Sequence, residues 1–449
     1  MATVLRFMKL DEIRRRRELG LLICLGVMEG FSWTLIKPML PLFATNIGAS
    51  TALVGVIVAV PPLVQIFTRI PSGAAAVRFG KRRMIILSFM VTAVGALILT
   101  LTRTPLLLFP AQLCVALGET FFWPANWAYV TSLAPRRRQG TVVGMVMGVQ
   151  GLAGLALPYM AGRVFDLYGF WLNGLIYLVF IGAGLFVARL LPNLEPVSDH
   201  DPAEGGESVA ARSGAQPLGP KPAAGLFGSL AAARRLLARE QVLLAAWGGF
   251  VIFFSWGISS VVYSIYVRDV LGFSATTVGM LMTWQGIFVA ISRFSYARVS
   301  AGLRVDRAMI CTAAINCAAM MMMPWVRNLP ALMLVSAVTG CASGVLPVAI
   351  KTLYANATSD NERSLAMGLD GVAMNFGALV SPLLAGVTAQ AFGIPATFFA
   401  GNLLTLVALA MARKVSRSGR LARTLSGLEL VTADHQAPGL TVPGRAATS

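Results

Sequence analysis

GASTALVG, residues 48–55, returns as GFSATTVG, residues 272–279. The offset is 224 residues (48 to 272), and it holds well beyond these eight positions. Arg69 matches Arg293. Gly144, Pro158, Ala161, Gly162 and Gly169 match Gly368, Pro382, Ala385, Gly386 and Gly393. A spacing kept over so long a stretch marks two copies of one structural unit, joined in a single chain.

Both copies are apolar enough for lipid. Of 449 residues, 56% are hydrophobic and 12% charged, against about 25% charged in soluble proteins. Runs of 18 or more apolar residues are long enough to cross a bilayer. Twelve are predicted, at about 19–44, 51–71, 83–102, 105–132, 139–162, 171–191, 241–267, 274–297, 305–325, 331–354, 364–389 and 394–412. A bilayer admits only helices or closed barrels, and runs of this length favour helices. The expected fold is all-α and membrane-integral: twelve helices in two pseudo-symmetric six-helix bundles, 19–191 and 241–412. Parallel six-span repeats of this kind are a transporter architecture, with the site between the halves.

Outside the bundles lie a basic segment (1–18), a connecting segment (192–240) and a polar tail (413–449). The first apolar run reads as an anchored span rather than a cleavable signal, because it is too long and lacks a small-residue cleavage site. Residues 192–225 are rich in Pro, Gly, Ala, Ser, Asp and Glu with no apolar period, the composition of a disordered linker. Residues 226–240 could form a short interfacial helix, with Leu226, Leu230, Leu236 and Leu237 toward lipid and Arg234, Arg235 and Arg239 toward phosphates.

Charge placement sets the orientation. The net charge is +18. With a cytoplasmic N-terminus, 32 of the 37 Lys and Arg fall on cytoplasmic segments or helix ends; Arg103, Arg163, Arg268 and Arg327 fall outside, and Lys37 lies within a span. This is the positive-inside pattern, and it predicts a plasma-membrane protein with both termini in the cytoplasm. Orientation and contact with anionic lipid account for the charge, so nucleic acid is not an expected partner. The five cysteines, Cys24, Cys114, Cys311, Cys317 and Cys341, show neither metal spacing nor a disulfide framework. His200 and His435 sit in polar segments, which leaves no histidine for a proton relay inside the membrane. No cofactor, metal site or catalytic residue is expected, and with no nucleotide loop or nucleophile–base pair in view the chain does not read as an enzyme.

RIPSGAAAVRFGKRRM, residues 69–84, resembles the signature loop of the major facilitator superfamily: Gly, three residues, Asp-Arg-x-Gly and two basic residues. Gly73, Arg78, Gly80, Lys81 and Arg82 match, while Val77 stands at the Asp position. A degenerate copy spans Arg293–Arg307. The resemblance implies a cytoplasmic gating loop, in which Gly73 allows close helix approach and the basic cluster meets carbonyl ends or acidic groups of the other bundle. PMLPLFATNIGASTALVGVI, residues 38–57, is similar to the first hairpin of that superfamily's drug–proton antiporters. Leu157-Pro158-Tyr159-Met160-Ala161-Gly162 partly resembles their span-five motif, Gly-Pro-x-x-Gly-Gly. Small residues at Gly148, Gly151 and Gly154 would leave a neighbouring helix room to pack, alongside Pro158, Gly162, Pro382 and Gly386. Where proton-coupled members carry a span-four Arg, this chain has Gln112.

A charge near mid-bilayer costs at least ~2.5–3.5 kcal/mol and marks a functional candidate. Glu29 and Lys37 lie in the first span, roughly 80° apart on a helix, with Trp33 and Ile36 completing that face. Gln112, Glu119 and Asn126 recur every seven residues in span four, a polar stripe on one face. The resemblance places spans one and four on the central cavity, so both acids would face it with Lys37 as counter-ion. Glu119 ranks first as the proton-coupling group; Glu29, nearer the cytoplasmic end, would chiefly pair with Lys37. Lys351 and Asp370 lie near span ends, where snorkelling or a mutual ion pair accounts for them. Trp123, Trp256 and Trp284, among other aromatics, could stack on apolar cations; ordinary packing is the competing reading.

The expectation is a secondary active transporter of a small molecule, working by alternating access and coupled to protons, with efflux of hydrophobic or cationic compounds ahead of two rivals. One rival is a proton-coupled uptake symporter for a small metabolite. The other is a transporter-fold sensor or scaffold that moves nothing.

Overall fold

A computed structural model describes residues 13–133, 139–153, 155–192, 234–300, 305–358, 360–403 and 406. The expected linker (192–225), apart from Pro192, and the expected tail (413–449) lie outside the described residues, as do both histidines. The first bundle contains α1 (Ile13–Phe31), which runs into a π turn (Ser32–Ile36), then α2 (Leu40–Asn46), α3 (Thr51–Phe79), α4 (Lys81–Leu101), α5 (Leu108–Ser132), α6 (Gln139–Ala153), α7 (Leu157–Tyr168) and α8 (Phe170–Arg189). The second contains α9 (Glu240–Ile265) with a π turn (Tyr266–Val270), α10 (Ala275–Ser300), α11 (Val305–Met321), α12 (Leu329–Ala357) and α13 (Asp360–Phe392). Residues 394–403 begin the twelfth span; most of the rest of that prediction lies outside the described residues. Among the described residues, ten helical segments are long and apolar enough to cross a membrane.

Three spans differ from the continuous runs expected. The first is broken: a π turn and the non-helical residues 37–39 separate α1 from α2, around Pro38 and Pro41, which have no N–H to give a helix ladder. The fifth, expected at 139–162, is two helices, α6 and α7. Pro158 sits in the first turn of α7, where its missing N–H would be unpaired anyway. The second runs on to Phe79, so most of the expected signature loop is helical. Only Gly80 leaves the helix, at φ +89°, to join α3 to α4. That left-handed region favours glycine.

The sequence repeat is written into the backbone. Ser50 and Ser274 cap their own helices, accepting from the amides of Leu53 (3.2 Å) and Thr277 (3.1 Å), the usual work of an N-cap serine. The two bundles then meet along two equivalent seams, α3 on α13 and α7 on α10. A Cβ on Gly55 would collide with the Pro382 carbonyl oxygen; one on Gly279 would collide with that of Pro158. Gly386 faces the Thr51 carbonyl oxygen at 2.7 Å and Gly162 faces Thr276 Cα at 2.9 Å, both measured from an added Cβ. The conserved offset therefore preserves positions where backbone touches backbone. Pro158, Gly162, Pro382 and Gly386 all lie in these seams. Gly148 and Gly151 do not pack as expected: nothing lies within 4 Å of where their Cβ would be. Gly154 lies outside the described residues.

Hydrogen bonds between the bundles gather at one end, opposite to Arg78, Lys81, Arg82, Arg189 and Arg239. They include Ser264 Oγ to the Pro38 carbonyl (2.8 Å), Arg268 to Asn46 Oδ1 (3.1 Å), and the Tyr159 amide to Thr283 Oγ1 (3.2 Å). Among the described residues, these bonds tie the two bundles together at that end.

The segment before the second bundle also departs from expectation. Residues 234–237 are helical, with Arg234 and Arg235 exposed, but Leu236 is 3% exposed and packs into the bundle's core rather than toward lipid. Arg239 makes paired bonds to Glu362 (2.7 and 2.8 Å) and a third to the Ala357 carbonyl (3.0 Å), so it ties protein to protein instead of facing phosphate. Leu226 and Leu230 lie outside the described residues. Leu236→Ala is expected to destabilise the chain by about 2–4 kcal/mol, read as a lowered Tm in detergent; an unchanged Tm would place Leu236 outside the core.

Candidate functional site

The polar stripe of α5 points inward: Gln112, Glu119 and Asn126 are all buried. Glu119, 2% exposed, receives two donors. Lys37 Nζ lies 2.9 Å from its Oε1, and Gln65 Nε2, from α3, lies 3.2 Å from its Oε2. The break in the first span explains how Lys37 gets there. The π turn and the non-helical residues 37–39 take the lysine out of the register of α1 and aim it at α5. The next residue, Pro38, is bonded through its carbonyl to Ser264 of α9. The ion pair thus sits in the first bundle, one residue from its contact with the second.

Glu29 behaves differently. It is fully buried, and neither carboxyl oxygen has a hydrogen-bond partner among the described residues. It lies within electrostatic reach of both Lys37 and Glu119, but the expected Glu29–Lys37 hydrogen bond is absent. Lys37 faces Glu119 instead. Asn126 likewise has both amide atoms buried and unbonded among the described residues. On the adjoining side, Gln150 of α6 presses its amide against Gly26 of α1, where a Cβ would collide with it.

Gln65 was not visible in the sequence as a site residue, since a lone glutamine in an apolar helix has no periodic partner. The aromatic candidates divide. Trp123 stacks with Trp127 at 5.9 Å on α5. Trp256 and Trp284 belong to the second bundle, where they donate to Ser343 Oγ (3.5 Å) and the Met333 carbonyl (3.1 Å) of α12. The side chain of Trp33 lies outside those described; its backbone is in the π turn.

The basic cluster at the α3–α4 joint also finds unexpected partners. Lys81 donates to the Ala128 carbonyl (3.1 Å) and Arg82 to the Arg189 carbonyl (2.7 Å). Both acceptors are in the first bundle, not across the gap. Arg189 ends α8, where exposed carbonyls attract cations. Arg78 is exposed, over the Phe79 ring at 5.4 Å. Gly73 is helical, but the surroundings of Gly73 and Val77 lie outside the description. Lys351 pairs with Asp370, which is buried.

Two helical bundles meet along two equivalent seams, with a buried charge pair beside them. Residues 22–254 and 245–431 match the model of the Major Facilitator Superfamily. The chain belongs to this superfamily. Its members are transporters, and the present chain is a multi-pass membrane protein of that kind. Multidrug resistance protein MdtH of Proteus mirabilis is 29% identical over 39% of this chain and 41% of its own length. The chain therefore aligns with about two-fifths of that relative. Multidrug resistance protein MdtG of Enterobacter lignolyticus is 22% identical over 84% of this chain and 87% of its own. Among solved structures, a bacterial homolog of the human lysosomal transporter Spinster superposes with TM-score 0.69 at 14% identity, covering 90% of this chain and 96% of that one. The nucleoside transporter NupG superposes at 0.66 and 13% identity, covering 90% and 99%. At such identities the likeness is one of facilitator-superfamily fold.

Proposed function

We propose that this facilitator exchanges protons for small hydrophobic or cationic compounds and exports them across the cytoplasmic membrane. One observation carries the reading: two buried acids share a single lysine beside the inter-bundle contact, and only one of them is bonded to it. Glu119 has its counter-ion. Glu29 has no donor among the described residues, and a buried carboxyl without a donor is far cheaper to hold as the neutral acid. The cluster therefore carries one proton that can be exchanged. A cationic compound competing with Lys37 for Glu119 frees the lysine to approach Glu29, which then gives up that proton. Lys37 is already neutralised by Glu119, which argues against an anionic cargo.

The concentration of Lys and Arg at one end supports an orientation with both termini in the cytoplasm. The end where the inter-bundle bonds gather then faces outward; on this reading it is the sealed end, and loading is from the cytoplasm. Exposed Arg234 and Arg235 lie where anionic headgroups are expected. The multidrug-resistance names of MdtH and MdtG favour export.

Proteoliposomes with an imposed pH gradient test this, with ethidium as the lipophilic cation. Accumulation against its own gradient, driven by proton flow in the opposite direction and collapsed by an uncoupler, is expected. Proton and label moving in the same direction would indicate a symporter. No movement of a panel of lipophilic cations would favour a sensor or scaffold.

A further inference from the structure

The two seams are equivalent by sequence offset but not by strength. Asp166 and Gln390 occupy matching positions, 224 residues apart. Each sits at the end of a seam helix and reaches into the opposite bundle, to the first turn of the helix it packs against. Asp166 accepts from the Ala275 amide (3.1 Å), the Thr276 amide (2.7 Å) and Thr276 Oγ1 (2.6 Å). Gln390 accepts once, from the Ala52 amide at 3.3 Å. The first-turn amides of a helix lack partners within it, and its N-terminus favours an anion. Hydrogen bonds to an ionised acceptor are roughly twice as strong as neutral ones. One seam thus has a charged three-bond clasp and the other a single neutral bond.

Other contacts lean the same way. The Tyr159 amide donates to Thr283 Oγ1 across the α7–α10 seam; at the matching place in the α3–α13 seam stands Ala59, which has no hydroxyl. Arg268, from the second bundle, lies over the Phe165 ring of α7 at 5.2 Å. The glycine contacts, by contrast, are the same in both seams.

We propose that the α7–α10 seam is the pivot and the α3–α13 seam the gate. The sealed end then opens by parting α3 from α13 while Asp166 holds α7 to α10. Asp166 is a positioning residue for alternating access; it touches no cargo. The proposal rests on the facilitator reading only for its two-state motion. It is tested without any substrate, so failure of the export assay would leave its outcome readable.

The repeat supplies a matched pair of rulers. Val56 and Phe392 flank the α3–α13 seam, and their equivalents Met280 and Tyr168 flank the other; Val56, Phe392 and Tyr168 are exposed and Met280 is half-buried. Spin labels at each pair, in separate cysteine-substituted proteins in lipid nanodiscs, report the two openings independently. Asp166→Asn is expected to widen the Met280–Tyr168 pair, which in the unsubstituted protein stays short whether the Val56–Phe392 pair is near or far. Gln390→Ala should widen only the Val56–Phe392 pair, and by less. Gln390→Glu should raise the sealed fraction, an opposite sign that misfolding cannot produce. The proposal is overturned if Asp166→Asn changes neither distance, if its effect is no larger than that of Gln390→Ala, or if each variant widens both pairs alike.

Discussion

Glu119→Gln is expected to insert at normal abundance in the membrane and to lose pH-driven transport, down to the level of protein-free vesicles. Its stability should fall too. Glu119 is the hydrogen-bonded partner of Lys37, and Gln65 completes its site. Removing one member of a buried pair costs up to about 3–5 kcal/mol, less whatever Lys37 regains by turning to Glu29. Adding Lys37→Met to Glu119→Gln removes that stranded charge, so the double variant should recover much of the lost Tm. It should not recover coupled transport. Thermal unfolding in detergent and flux in proteoliposomes read the two effects separately. If the double variant recovers both, the pair is a structural tie between the first span and α5, and the coupling lies elsewhere.

Glu29→Gln should give the complementary pattern. The carboxyl makes no hydrogen bond among the described residues, so a neutral isostere strands no partner, and stability should change by less than about 1 kcal/mol. Coupling should nevertheless be lost, because glutamine mimics the protonated acid and cannot release a proton. Exchange of labelled for unlabelled cargo, which needs no net proton movement, should persist. Counterflow with an intact response to the pH gradient would remove Glu29 from the mechanism. The sequence alone ranks Glu119 above Glu29; the proposed mechanism gives them different tasks, one holding the counter-ion and the other the exchangeable proton.

How far this could be read from the chain depends on what kind of pattern each feature leaves. The double bundle was legible because the repeated residues are ones that their places cannot exchange: Gly55, Gly162, Gly279 and Gly386 face backbone in the seams, and Gly48, Gly169, Gly272 and Gly393 adopt positive φ at turns. The α5 stripe was legible because period seven holds on one helix face. Gln65, Asp166 and Gln390 left no such trace. Asp166 and Gln390 differ in residue type, so a search for identical pairs passes over them, although their offset was the clue. The breaks in the first and fifth spans were missed because hydropathy averages over Pro38, Pro41 and Pro158. The partner of Lys37 was open for the same reason: without the π turn, a lysine eight residues from Glu29 has no evident route to α5.

The seam has an electrical consequence. Where Gly55 meets Pro382 and Gly279 meets Pro158, main chain closes on main chain, and no side chain can swing aside to admit an ion. Where water enters from one side only, the membrane voltage falls mostly across such a dry contact. A potential acts with about 2.3 kcal/mol per elementary charge per 100 mV. Lys37 and Glu119 together are neutral, so rocking them past the contact moves no net charge. Only what they carry is driven: with one proton returning per turnover, a monovalent cation leaves the cycle electroneutral, and an uncharged compound makes it current-generating.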